Sequence, residues 1–363
     1  GQETAIAEFP AAYLDGGAGY QQGWIRDLVC GDTHTSAYVL VNFIEEGESW
    51  FSKSHIIEID LTTLTFSVLS EPAPGPWLVM HIALDDNNIV GLHDISPREP
   101  LSNISLADGT RTILAPGLAV GGVELDPELS SNIVYVATFD GIERIDVNTR
   151  TSENISVVSP DHPLAFAQVR AIGFDAPNNR VIVGDSALDA LISVDVSTGE
   201  RSDLVSRRIG SGAPLIAPRS VVLSADASRA WVADDGGNLA ERLFEIDLAT
   251  GDRRSVGNII LPYNFTIRGL AVDEPNRKAY IAFHHVIIEI DLNTELARDV
   301  VHVDTSFLQS ISSMIHDAAN DRLLIGDALA DAIYSLELES GTIRLISRDG
   351  DRGDGEPFET IVS

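Results

Sequence analysis

A chain of 363 residues, 44% hydrophobic and 22% charged, has ample apolar material for a folded core. Its formal net charge of -31, from 55 acidic and 24 basic side chains, repels phosphate backbones and anionic membrane surfaces, so nucleic acid and lipid are poor partners. No apolar run approaches the ~20 residues of a membrane-spanning helix. The single cysteine, Cys30, cannot form an internal disulfide and reads as core packing. The chain begins GQETA, without methionine, which reads as a mature or trimmed chain.

Along the chain one unit recurs, at a spacing of about 40 to 50 residues. Each copy has short runs rich in Val, Ile and Leu, bounded by Gly, Asp, Asn or Pro, which are strand and hairpin signals. The first runs, in chain order, are IRDLVC (25–30), VMHIAL (79–84), VGGVEL (120–125) and VRAIGF (169–174). PRSVVL (218–223), IRGLAV (267–272) and ISSMIH (311–316) follow. The third runs read EIDL (58–61), NISL (103–106), RIDV (144–147), SVDV (193–196), EIDL (245–248), EIDL (289–292) and SLEL (335–338). Their aspartates are expected to anchor the turn into the fourth run.

Four antiparallel strands per unit are apolar on both faces and must stack on neighbours. No amphipathic helix competes. The expected fold is therefore all-β, a single seven-bladed β-propeller over 1–363. Its blades are expected near 20–70, 77–116, 118–159, 167–206, 217–257, 266–301 and 310–347. Residues 348–363 are expected to close the ring, with an eighth blade built from the two chain ends as the alternative.

The stretch G-x-G…PRSVVL (210–223), then WVAD (231–234) and EIDLATG (245–251), resembles the NHL and gluconolactonase-like propeller superfamily. The resemblance implies the fold over nearly the whole chain. It leaves function open, because that superfamily holds hydrolases, lyases and interaction modules.

Four units carry arginine at the start of the first strand: Arg26, Arg170, Arg219 and Arg268. The corresponding second strands end near Asn42, Asp185, Asp234 and Phe283–His284–His285. Arg170 is expected to face Asp185, and Arg219 to face Asp234, as cross-strand pairs. Arg268 and Arg26 have no carboxylate opposite. They flank the seventh unit, where Ser312 and an unpaired Asp327 give the inverse arrangement. Asp327 could pair sideways with one of them; otherwise the arginines form a channel mouth that receives a carboxylate or sulfate. His81, His93 and His284 are expected at the same end, and His316 at the opposite end. Tyr263, just before the sixth unit, is a candidate proton acceptor beside Arg268.

DGDRGDG (349–355) resembles variant calcium loops, with Asp349, Asp351 and Asp354 as ligand candidates; it lacks EF-hand spacing, and a solvated linker is the plainer reading. No serine nucleophile elbow, phosphate loop or zinc knuckle is present. Two function classes follow. The first is an exported, periplasmic or extracellular, propeller that binds an anionic small molecule, a saccharide or a protein partner at one channel end. The second is a lyase or hydrolase acting on an acidic saccharide or lactone.

Overall fold

A computed structural model describes residues 20–30, 35–45, 53–63, 65–70, 79–84, 88–93, 99–105, 111–118, 120–125, 133–138, 141–146, 148–149, 151–159, 161–236, 241–259, 266–302, 308, 310–318, 320–327 and 332–348. These residues form seven four-stranded antiparallel sheets. Sheet one is β1 (Tyr20–Cys30), β2 (Ser36–Glu45), β3 (Lys53–Asp60) and β4 (Thr65–Ser70). Sheet two is β5 (Val79–Leu84), β6 (Asn88–His93), β7 (Glu99–Ser105) and β8 (Arg111–Leu118). Sheet three is β9 (Val120–Leu125), β10 (Ile133–Thr138), β11 (Ile142–Asp146) and β12 (Thr151–Asn154). Sheet four is β13 (Val169–Asp175), β14 (Arg180–Asp185), β15 (Ala190–Asp195) and β16 (Arg201–Val205). Sheet five is β17 (Pro218–Leu223), β18 (Arg229–Asp234), β19 (Glu241–Asp247) and β20 (Arg253–Ile259). Sheet six is β21 (Gly269–Asp273), β22 (Lys278–Ala282), β23 (Val286–Asp291) and β24 (Ala297–His302). Sheet seven is β25 (Ile311–Asp317), β26 (Arg322–Asp327), β27 (Ala332–Glu337) and β28 (Thr342–Arg348).

Within each sheet the strands pair in chain order, as hairpin connections require. The first strands pack side by side from β1 through β5, β9, β13, β17 and β21 to β25, and β25 returns to β1. The result is a β-propeller. The core lies between sheets, because both faces of each second strand are apolar. Leu28, Val39 and Ile57 of sheet one pack with Leu324, Ile333 and Ile346 of sheet seven, closing the ring. Trp231 and Leu243 meet Leu270 and Ile281 between sheets five and six. Tyr135 and Ile142 meet Val181 and Ile192 between sheets three and four. Each such buried side chain contributes roughly 1.5–3 kcal/mol of transfer free energy.

The turns from third to fourth strand use the expected aspartates. Asp60, Asp146, Asp195, Asp247 and Asp291 each accept two backbone N–H bonds from the residues two and three positions on. Those bonds hold the carboxyls of Asp60, Asp195 and Asp291 below the usual range. The calcium loop candidates Asp349, Asp351 and Asp354, the alternative eighth blade and Tyr263 lie outside the described residues.

Candidate functional site

A backbone irregularity explains the arginine register. The first strands of sheets two, four, five and seven each contain a bulge near their start, and β1 contains one in mid-strand. The extra residues are Arg26, Met80, Arg170, Arg219 and Ser312. A bulge leaves one residue out of the ladder and re-aims its side chain. In sheet six Arg268 immediately precedes β21, and its N–H donates to Ala282 O at 2.8 Å. Arg170, Arg219 and Arg268 thus share one end of the ring, where their first strands begin, while Arg26 stands in the middle of β1.

The same bulges overturn two expected ion pairs. Asp185 stands opposite Val169, and Asp234 opposite Pro218, so neither faces its arginine. Asp185 is fully buried and already saturated. Its Oδ2 accepts from the N–H groups of Ala167 and Gln168, and its Oδ1 from those of Ala187 and Leu188. Asp234 Oδ2 accepts from Ile216 and Ala217 N–H. Arg219 instead bonds the next residue, Asp235, at 2.9 Å. Arg170 is exposed, and no described residue forms an ion pair with it. Asp327 is not unpaired either: it is fully buried, and its Oδ1 accepts from Ser310 N–H at 2.9 Å. The three aspartates tie the segment entering each first strand to the end of the second.

Between sheets six and seven the predicted residues do meet. Arg268 Nη2 lies 3.0 Å from His284 Nε2. A guanidinium only donates, so Nε2 accepts and the imidazole is neutral, with its proton on Nδ1. That nitrogen donates to Ser310 Oγ at 3.1 Å. Ser310 in turn gives its N–H to Asp327. Burial, followed by the charge of Arg268 and the neighbouring His285, holds His284 below its ordinary pKa; Asp327 acts in the opposite direction. His284 and His285 sit in the bend between β22, which ends at Ala282, and β23, not in a strand as the sequence suggested. His284 O also accepts Ile311 N–H, which joins the two sheets.

For Arg26, His81 and His93 only the strand positions are described. Val79 pairs with His93, and His81 with Leu92, so both histidines lie toward the arginine end of sheet two. Arg26 occupies the bulge of β1.

Sequence reasoning passed over the arginines that open fourth strands. Arg253 bonds the carbonyls of Ala213, Ser206, Ile209 and Gly210, all from the preceding interblade loop. Arg201 bonds Ser156 O, Ser156 Oγ and Leu164 O and lies 3.8 Å over the Phe166 ring. Burial lowers the Arg201 guanidinium to about 10. The signal was the repeated T-G-x-R in STGER and ATGDR. A cleft of about 400 Å³ lies at the edge between sheets five and six. Of the four arginines that line it, Arg229, Arg254 and Arg277 close onto Glu245, and Arg253 is held by the loop carbonyls.

No protein-family model matches the chain, and no curated protein matches it. Solved structures do. The GH74 enzyme of Niastella koreensis superposes with TM-score 0.62 at 14% identity, covering 88% of this chain and 54% of that one. The Swd1 β-propeller domain of Myceliophteria thermophila gives 0.61 at 13%, covering 88% and 96%. The extracellular domain of a protein described as a hybrid two-component system in B. thetaiotaomicron gives 0.60 at 11%, covering 89% and 38%. At such identities the likeness is one of fold. No helix among the described residues is long and apolar enough to cross a membrane.

Proposed function

We propose that the protein is an exported propeller that binds a carboxylate- or sulfate-bearing small molecule or saccharide at the ring end where first strands begin. The observation that supports this most is the state of Arg268. Its guanidinium is exposed, and its described partner is a neutral imidazole, not a carboxylate. In a chain of net charge -31, Asp185, Asp234 and Asp327 at this end accept from backbone N–H groups, and Asp235 is taken by Arg219. A planar fork held this way can take an anion in two parallel charge-assisted bonds. Export is consistent with the fold shared with an extracellular domain.

The test is calorimetric titration with uronate and sulfated oligosaccharides beside their neutral counterparts. Arg268→Ala should weaken binding of the charged set by roughly tenfold or more and leave any neutral-sugar binding unchanged. Equal binding of charged and neutral sugars, or no change in Arg268→Ala, refutes the reading. A lyase or hydrolase is the second reading, favoured by the neutral His284 beside Arg268, an arrangement suited to proton abstraction next to a carboxylate. New ultraviolet absorbance from an unsaturated product would select it over binding alone.

A further inference from the structure

At the opposite end of the same two sheets, three side chains converge that have no part in the site above. Asp273 ends β21 of sheet six, and His316 is the penultimate residue of β25 in sheet seven. Asp321 sits in the turn that follows β25, in the left-handed region at φ 49°. One ligand atom from each lies within 4.8 Å of the others.

A comparison between blades shows why this place differs. The aspartate that ends the first strand recurs in sheets four, six and seven. In sheet four, Asp175 is neutralised by Arg180, five residues on, at 2.6 Å. In sheet seven, Asp317 is neutralised by Arg322, again five residues on, at 2.8 Å. In sheet six the same position is Lys278, and its Nζ turns to Glu289 at 3.5 Å. Asp273 keeps its turn bonds from Asn276 N–H and Nδ2. It is 3% exposed, and among the described residues no cation pairs with it. A buried carboxylate without a counter-ion is costly.

His316 adds an independent sign. Its Nε2 is buried and has no hydrogen-bond partner among the described residues.

We propose that Asp273, His316 and Asp321 form a binding site for a divalent transition-metal ion of the zinc class, joining sheets six and seven. Carboxylate and imidazole ligands at about 2.0–2.2 Å suit Zn²⁺, and the three ligand atoms reach such an ion by shifts of less than about an ångström. One imidazole with two carboxylates does not suit Ca²⁺, which takes six to eight oxygens. Water completes the coordination.

The test uses the full chain stripped with EDTA. Co²⁺ should give visible d–d bands that saturate near one equivalent and that Zn²⁺, but not millimolar Ca²⁺, abolishes. His316→Gln and Asp321→Asn should each weaken Zn²⁺ binding by roughly 100-fold or more, the upper limit of what outer-sphere changes cost. Asp321 is exposed, so its variant keeps the fold if the histidine variant does not. Lys278→Arg should also weaken binding, because it restores the counter-ion seen in sheets four and seven. Absence of the Co²⁺ bands in the unmodified chain, or Zn²⁺ binding unchanged in Asp321→Asn, overturns the proposal.

Discussion

Asp185 looks in the sequence like half of an ion pair, yet its two oxygens accept four backbone N–H bonds. An amide cannot replace it, because its NH₂ group would face two donors. Asp185→Asn should therefore cost roughly 2–4 kcal/mol in urea denaturation, whereas Arg170→Ala should change stability by less than about 0.5 kcal/mol. His284 belongs to the same scale. Its folded-state pKa is depressed, so the unfolded chain takes up this proton first. The stability that goes with the neutral ring is whole above about pH 6.5, the ordinary histidine value, and is lost as pH falls through the lower folded value. Denaturation of the unmodified chain should weaken more steeply than that of His284→Gln across this window. An anion at Arg268 reverses the local field, so its affinity should rise as pH falls through the same range.

Whole elements depend on single devices. The fourth strands of sheets four and five are fastened to the preceding blade by Arg201 and Arg253, whose flat guanidinium groups reach several carbonyls at once. Arg253→Met leaves those carbonyls without a donor and should cost about 2–4 kcal/mol. Arg253→Lys should recover only part, since an ammonium is a point donor. Denaturation midpoints of the two variants measure the difference. Turn chemistry is equally local. Gly251 sits at φ 75°, and a Cβ there would lie 2.6 Å from Leu204 O. Sheet six places Glu295 at the corresponding position, φ 60°, where its carboxylate accepts from Arg254 of sheet five. The bulges at the starts of first strands are the element-scale device that matters for binding, because they turn one residue per strand out of the ladder.

For the molecule as a whole, two opposing terms are visible. Apolar packing between adjacent sheets closes the ring, with Leu28 and Ile57 of the first sheet against Leu324 and Ile333 of the last. Against it stands the repulsion of a net charge of -31. Salt screens that repulsion over a Debye length of about 10 Å at 0.1 M. The melting temperature should accordingly rise by a few degrees between about 0.05 and 0.5 M NaCl at neutral pH. A flat or falling curve would mean that interblade clasps such as Arg277–Glu245 outweigh the long-range term.

The propeller was legible in the sequence because its determinants are local. Apolar runs of strand length, the I-D-L aspartates and T-G turns recur at one spacing, and each acts on residues a few positions away. The ring end of Arg268 and His284 was legible too, since strand order alone sends those positions to one side. Partner choice was not. A bulge displaces Arg170 and Arg219 from the aspartates that simple pairing puts opposite them, and buried backbone N–H groups claim those carboxylates first. The cluster of Asp273, His316 and Asp321 was likewise invisible along the chain. It depends on two sheets meeting, and on a lysine in one of them turning away toward Glu289. Such through-space choices are made only once the ring has closed.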